Sequence, residues 1–195
     1  MLESLLRQGD SILIRGFDII FSLIGLIIGF PIFFLLIIIG WFDTREPLIW
    51  QTRVGIHGIN FKLVKFRTMH LSSESIATHL ANPALITSYG RILRHTKLDE
   101  LPQLWNVLRG EMSLVGPRPC LPNQHDLIEK REMLGVYKVR PGITGLAQIK
   151  GIDMSNPDLL AKIDARMIST MKYADYFKYI LYSIIGKGSG DRVRS

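Results

Sequence analysis

The chain has 195 residues, 47% of them hydrophobic, with a formal net charge of +7 and a pI near 9.7. This length suits one domain with an anchor. The charge indicates an anionic partner, but the basic residues are dispersed and no recognition motif is present, so we expect no nucleic-acid partner. Its only cysteine, Cys120, excludes an internal disulfide and predicts a small buried apolar side chain, and no Cys/His cluster has zinc spacing.

The first strong element is an apolar segment from Ile19 to Trp41 without one charged residue. A segment that meets the hydrocarbon core of a bilayer needs about 20 apolar residues. A single-pass anchor is one interpretation. Pro31 at the centre and basic residues on both flanks instead favour a segment that bends and returns to the cytoplasmic side. Both interpretations stay open on this segment alone.

Further along the chain, turn formers divide short elements from one another. Two β-prone runs around Gly55–Gly58 predict a β-hairpin, Leu48–Trp50 with Phe61–Phe66. The other expected elements are a loop with a short helix (Leu71–Ser88), an amphipathic helix (Leu98–Leu108) ended by Gly110, a rigid loop (Val115–Pro122), a helix (Leu127–Met133), a Gly/Pro-rich loop (Val139–Gly151) and one or two helices (Leu159–Ile185). We therefore divide the chain into a lead-in and membrane segment (1–41), a cytoplasmic catalytic domain with interfacial helices (42–185) and a mobile basic tail (186–195).

Two adjacent carboxylates, Asp99 and Glu100, are the candidate catalytic residues. Proline is tolerated in a first helical turn, so Pro102 predicts that a helix begins just before it and that the dyad lies at its N-terminus. The positive end of the helix dipole would keep Asp99 ionised, as a nucleophile or a metal ligand. Acidic residues in first turns are also common as helix caps, which is the competing interpretation.

Basic residues beside Gly/Pro loops indicate a phosphorylated substrate. Arg118 lies between Pro117 and Pro119, which would hold its guanidinium ready to clamp a phosphate. A surface arginine on a structural loop is the alternative. Arg140 precedes a proline and Gly142, and Lys65 and Arg67 share one face of a predicted strand, while Arg94 precedes the dyad. A diphosphate would also bring Mg²⁺, for which carboxylates are suitable ligands.

Taken together, six segments resemble the bacterial sugar transferase family, the small monotopic phosphoglycosyl transferases that act on polyprenyl phosphate. The segments are Arg15–Asp18, Gln51–Gly55, Lys65–Met69, Lys97–Val107, Met112–Pro119 and Val139–Gln148. They occur in the family's order across nearly the whole chain. Where family members often have Ser-Pro at a break in the membrane segment, this chain has Phe30-Pro31.

The resemblance implies an α+β fold, mainly helical and monotopic, with an N-terminal re-entrant helix-break-helix hairpin, interfacial amphipathic helices and a small β-hairpin. It implies transfer of a sugar 1-phosphate from a UDP-sugar to undecaprenyl phosphate with release of UMP, through a phosphosugar intermediate on Asp99. Mg²⁺ would lie at Asp99 and Glu100, and the substrate-binding residues would be Lys65, Arg67, Arg94, Arg118, Arg140, Gly142 and Gln148.

The expected setting is the cytoplasmic face of the bacterial inner membrane, in contact with phospholipid, where the enzyme would initiate glycoconjugate, O-antigen or capsule assembly. The resemblance also allows for a homodimer. Two non-catalytic alternatives are a membrane-anchored module that binds lipid phosphate and a membrane-anchored nucleic-acid binder. The first would keep its ligand after Asp99→Asn, and the second would bind with steep salt dependence.

Overall fold

The computed structural model describes residues 12–70 and 83–186, so the start of the lead-in, most of the predicted Leu71–Ser88 loop and most of the basic tail lie outside the described residues. This part of the chain is mainly helical with two small sheets, which confirms the α+β class. In chain order the elements are α1 (Ile12–Thr44), β1 (Leu48–Val54), β2 (Asn60–Phe66), α2 (Ser88–Thr96), α3 (Gln103–Leu108), β3 (Ser113–Val115), α4 (His125–Met133), β4 (Gly142–Thr144), α5 (Leu146–Ile149), α6 (Pro157–Thr170) and α7 (Tyr173–Ile184).

The membrane segment is one continuous helix rather than the expected helix-break-helix hairpin. Helix α1 has 33 residues and contains Pro31 in its interior. Proline removes one backbone hydrogen bond. Packing on the C-terminal side of Pro31 supports the helix there, because the Phe33 ring packs at a tilt against Phe66 with ring centroids 5.1 Å apart and Leu36 is buried. The helix is long and apolar enough to cross a membrane, by length and composition.

Helix α1 contacts the rest of the protein along one stripe that runs from end to end. The buried members are Asp18, Ser22, Leu36, Gly40 and Thr44, which recur at helical spacing. Large apolar side chains such as Ile27, Ile28 and Phe34 are exposed on the remaining surface. The side that faces the protein thus combines polar and small residues with Leu36, whereas the outward side consists of large apolar residues, as in a helix whose outer side meets lipid.

The predicted β-hairpin is confirmed. Strands β1 and β2 pair antiparallel in full register, from Leu48 opposite Phe66 to Val54 opposite Asn60. Asn106 of α3 binds the outer edge of β2, because its Oδ1 accepts from the Val64 amide at 3.0 Å and its Nδ2 donates to the Lys62 carbonyl at 2.8 Å. This contact fixes the distance between the hairpin and the segment that carries the dyad.

A short parallel pairing corrects the expectation that residues 115–122 and 139–151 are loops throughout. Strand β3 pairs with β4, Ser113 opposite Gly142 and Val115 opposite Thr144, and α5 follows directly. The two backbones approach closely because neither Gly116 nor Gly142 has a side chain. A Cβ atom on Gly142 would overlap the backbone nitrogen and Cα of Gly116.

The predicted helix Leu127–Met133 is confirmed as part of α4, and the Leu159–Ile185 region forms two helices, α6 and α7. Helix α7 joins α1 through a buried carboxylate: Asp18 Oδ1 accepts hydrogen bonds from the Tyr176 hydroxyl at 2.8 Å, the Ser113 hydroxyl at 3.0 Å and the Leu114 amide at 2.9 Å. Burial and the nearby Asp18 charge raise the pKa of Tyr176, so its hydroxyl stays protonated and donates. Phe177, Leu181 and Ile184 form the outward apolar face of α7.

The close approach of the two glycines gives a stability prediction. Gly142→Ala should destabilise the protein by roughly 1–3 kcal/mol or more, because the obstructing atoms are backbone and cannot rotate away. Gly16→Ala is the matched control, since a Cβ there has nothing within 4 Å and alanine favours the helix. Thermal unfolding of the two variants in the same detergent measures the difference. Equal melting temperatures would contradict this packing.

Candidate active site

The two carboxylates lie on a separate short turn rather than inside a helix. Leu98–Glu100 form a 3-10 turn, and α3 begins only at Gln103, so the predicted single helix over Leu98–Leu108 is wrong before Gln103. Lys97 adopts a left-handed conformation (φ 58°), which ends α2 and turns the chain. The expected helix dipole therefore contributes little, because α3 has only 6 residues and starts one turn later.

Apolar neighbours hold this dyad turn in place. Leu98 and Leu101 pack against the buried cluster of Leu36, Phe66 and Leu93. Asp99 is 1% exposed and Glu100 is 7% exposed. Leu101 also faces Gly29 of α1, where the absence of a side chain leaves room for it. The membrane helix is therefore part of the scaffold that positions the two carboxylates.

Glu100 is paired with Arg118, as expected for two residues of one site. Arg118 Nη1 lies 2.8 Å from Glu100 Oε1, and the two side chains are 25% and 8% exposed. A charge-assisted hydrogen bond in such a partly buried place is stronger than a surface ion pair. It leaves Arg118 accessible enough to face solvent or a ligand as well.

The loop that carries Arg118 is held through its backbone carbonyls. Prolines 117 and 119 have no N–H groups to offer. Instead, four successive carbonyls, from Gly116 to Pro119, each accept a hydrogen bond. The donors are Gln148 Nε2 to Gly116 (3.4 Å), Gly142 N to Pro117 (2.9 Å), Arg131 Nη1 to Arg118 (2.9 Å) and Arg53 Nη1 to Pro119 (3.2 Å). We call this set the carbonyl row.

Two of the residues proposed to bind substrate thus support the Arg118 loop. Gly142 permits the close backbone approach and donates its amide, and Gln148 is buried with its amide nitrogen on the Gly116 carbonyl. Lys65 is buried on the same face of the hairpin as Gln51 and Arg53, and Arg53 reaches this loop. Gly142 and Gln148 therefore belong to the surroundings of Arg118, and Lys65 lies on the hairpin face that also carries Arg53.

Arg67, Arg94 and Arg140 each donate a hydrogen bond to another part of the chain, and their role in substrate binding stays a prediction. Arg67 donates to the carbonyl of Glu46 at 3.0 Å and to its carboxylate at 2.7 Å, where the chain leaves α1. Arg94 Nε donates to Thr68 Oγ1 at 2.8 Å. Arg140 Nε donates to the Gly110 carbonyl at 2.8 Å, beyond the opposite end of α3 from the dyad. Arg118 is the predicted basic residue that forms the ion pair with Glu100 of the dyad described above.

Arg140 borders a cleft between the start of α1 and the junction of α6 with α7. The cleft touches Gly116 and Pro117 from the side, and Met167, Met171 and Lys172 also line it. Arg140 thus contributes positive charge next to the Arg118 loop.

Sequence reasoning missed the role of Arg131, whose side chain is 1% exposed and binds both the carbonyl row and Asp164. Arg131 lies four residues after the buried Leu127, on the same face of α4. A charged residue on an apolar helical face was the signal that could have identified it. Its partner Asp164 lies 33 positions away, and nothing local links the two.

The dyad offers two hard oxygen donors on neighbouring residues. Within residues 12–70 and 83–186 no group of three or more His, Cys, Asp and Glu side chains could enclose a metal ion. Mg²⁺ usually binds one or two carboxylates and completes its shell with substrate phosphates and water. The donor set of Asp99 and Glu100 fits that mode of binding, in which the substrate supplies further ligands.

Comparison with known proteins identifies the family to which this chain belongs. The family model described as bacterial sugar transferase matches residues 9–186. A UDP-glucose:undecaprenyl-phosphate glucose-1-phosphate transferase of Caulobacter vibrioides is 44% identical over 115 residues, which cover 56% of this chain and 43% of the relative. An undecaprenyl-phosphate glucose phosphotransferase of Komagataeibacter xylinus is 36% identical over 182 residues, which cover 86% of this chain and 33% of the relative.

This chain therefore spans less than half the length of either relative. An exopolysaccharide production protein, ExoY, of Rhizobium meliloti is 35% identical over 155 residues, which cover 70% of this chain and 68% of that protein. On the family match and this last relative, the chain belongs to the bacterial sugar transferase family.

Proposed function

We propose that the protein transfers a sugar 1-phosphate from a UDP-sugar to undecaprenyl phosphate and releases UMP. The observation that carries the proposal is the buried Asp99–Glu100 turn with Arg118 paired to Glu100, in a chain of this family. The names of the two transferases point to a hexose 1-phosphate as the group moved and to undecaprenyl phosphate as the acceptor. The product would begin the assembly of an exopolysaccharide, O-antigen or capsule on its lipid carrier.

In the first step an oxygen of the Asp99 carboxylate attacks the phosphorus that bears the sugar. The bond between that phosphorus and the oxygen bridging to the second phosphate breaks, and UMP leaves with the bridging oxygen and its electron pair. In the second step an oxygen of the lipid phosphate attacks the same phosphorus, and the bond to Asp99 breaks. The carboxylate is thereby restored, and no oxidant or reductant is needed.

The neighbouring residues would serve this exchange by position and charge. Arg118 holds Glu100, and its partly exposed guanidinium is the kind of group that binds a phosphate oxygen. Burial of the dyad limits water, which would otherwise hydrolyse the acyl phosphate. Asp99 and Glu100 would hold Mg²⁺, which when bound neutralises charge on the diphosphate.

We further propose that the protein occupies one leaflet, on the cytoplasmic side of the inner membrane. Arg15 donates to the Val107 and Leu108 carbonyls near one end of α1, and Gly40 packs against Pro47 near the other. These contacts are about 38 Å apart at 1.5 Å per residue, more than the hydrocarbon core of about 30 Å. A perpendicular crossing would pull the attached domain into the core, so an arrangement with α1 along the membrane surface agrees better with these contacts.

The role of Asp99 gives a direct activity prediction. Asp99→Asn should lower UMP release by at least about 10³-fold, because an amide is a poor nucleophile. Asp126→Asn is the matched control: it makes the same chemical change on an exposed carboxylate and should keep the wild-type rate. The assay uses purified protein, Mg²⁺, undecaprenyl phosphate and a panel of UDP-hexoses. Full activity of Asp99→Asn would contradict the covalent route. A wild-type protein that binds lipid phosphate but shows no turnover would favour the non-catalytic module instead.

The two-carboxylate donor set predicts that metal binding depends on the donor substrate. Mg²⁺ alone should give little heat in a calorimetric titration, and it should bind measurably once a UDP-sugar is present. EDTA should stop turnover and excess Mg²⁺ should restore it. Tight binding of Mg²⁺ to the substrate-free protein would mean that other ligands complete the site.

The one-leaflet arrangement predicts that both ends of α1 label from the same side. In a Cys120→Ala background, Leu13→Cys and Arg45→Cys place thiols at two exposed positions. A membrane-impermeant maleimide should modify both in inside-out vesicles and neither in right-side-out vesicles. Labelling of the two positions from opposite sides would establish a crossing helix instead.

A further inference from the structure

A buried ion pair lies outside the dyad yet touches the loop that serves it. Arg131 of α4 donates through Nε (3.1 Å) and Nη2 (2.6 Å) to Asp164 Oδ2 of α6, and the two side chains are 1% and 0% exposed. Burial raises the pKa of Asp164, and the charge of Arg131 opposes that shift. Because desolvation offsets the attraction, such a pair adds little net stability compared with apolar side chains of similar volume.

The guanidinium has a third contact that neither helix needs for packing. Arg131 Nη1 donates to the backbone carbonyl of Arg118 at 2.9 Å. The side chain of that same residue leads to Glu100 at 2.8 Å. One continuous series of hydrogen bonds therefore runs from Asp164 through Arg131 and Arg118 to the dyad.

Within the carbonyl row, the hydrogen bond from Arg131 is the one made to the backbone of Arg118 itself, the residue whose side chain pairs with Glu100. Prolines on both sides leave the backbone at Arg118 few conformations. The hydrogen bond that the Arg118 carbonyl accepts from Arg131 then selects the orientation of its peptide group. Asp164 fixes the rotation of the guanidinium by accepting two of its donors on one oxygen. The third donor is thereby aimed at Arg118.

We propose that Arg131 and Asp164 are positioning residues that orient Arg118 toward Glu100 and so support catalysis. This inference rests on the proposed function, in which Arg118 and the dyad form the active site. A lysine could not replace Arg131, because a single ammonium lacks the planar fork that reaches Asp164 and the carbonyl together.

Two variants separate positioning from stability. Asp164→Asn removes the charge that fixes Arg131. The double variant Arg131→Met/Asp164→Leu replaces the whole pair by apolar side chains, a change that often leaves stability unchanged or improved. It should therefore fold with a melting temperature near that of the wild type, while its kcat falls about 10-fold to 100-fold and KM changes little.

The coupling to Arg118 is tested by a double-mutant cycle. In an Arg118→Ala background, Asp164→Asn should lower kcat no further, although it should lower the melting temperature as much as it does alone. Two controls lie on the same helices: Leu160→Ala weakens the core of α6, and Asp158→Asn removes an exposed ion pair between α4 and α6. Both should keep the wild-type kcat at temperatures below their melting points.

A readout without turnover completes the experiment. Arg118 should react several-fold faster with phenylglyoxal, measured by peptide mass spectrometry, in both pair variants but not in Leu160→Ala. The positioning role would be overturned if Asp164→Asn and Arg118→Ala lowered kcat independently of each other. It would also be overturned if the apolar double variant kept the wild-type kcat and the wild-type reactivity of Arg118. The wild-type rate tests the proposed function and the reactivity of Arg118 tests the positioning, so the two can fail separately.

Discussion

The structure of the site depends on one constraint, the fixed backbone of the Gly116–Pro119 loop. Its prolines offer no N–H groups, and the carbonyl row instead accepts four hydrogen bonds from separate parts of the chain. Strand β4, α5, α4 and the hairpin each contribute one donor. Arg118 is thereby held at Glu100. A rigid cation beside buried carboxylates is the kind of preorganised charge that phosphoryl transfer requires. Apart from the nucleophile, a protein catalyses such a reaction mainly by positioning the substrates and stabilising their charge.

The membrane helix is joined to this site rather than attached at one end. Its inner stripe contains Asp18, which ties α1 to β3 and α7, and Gly29, which receives Leu101 beside the dyad. Its outer surface consists of large exposed apolar side chains. The dyad turn therefore packs against the inner side of the helix whose outer surface would meet lipid. A lipid-linked phosphate acceptor, which reaches the protein from the membrane, would have a short path to Asp99 in such an arrangement.

Local signals predicted much of this fold and part of the site. Two β-prone runs around Gly55–Gly58 predicted the hairpin. Pro102 predicted a helix start in this region, although α3 begins after it, at Gln103. The bend expected at Pro31 does not interrupt the helix, because packing of Phe33 and Leu36 compensates for one missing backbone hydrogen bond. Charge alone could not predict the contacts of Arg67, Arg94 and Arg140, which include hydrogen bonds to Glu46, Thr68 and Gly110. The β3–β4 pairing and the Arg131–Asp164 pair depend on residues far apart in sequence, which only the tertiary fold brings together.

The covalent role of Asp99 is the central claim, and trapping the intermediate tests it most directly. Purified protein would be mixed with Mg²⁺ and a UDP-hexose without lipid acceptor, quenched and measured by intact-mass spectrometry with peptide mapping. We expect a mass increase of one hexose phosphate on Asp99, and this adduct should disappear when undecaprenyl phosphate is added. Stoichiometric UMP release in the presence of acceptor, with no adduct at any time and none on the peptide containing Asp99, would contradict it.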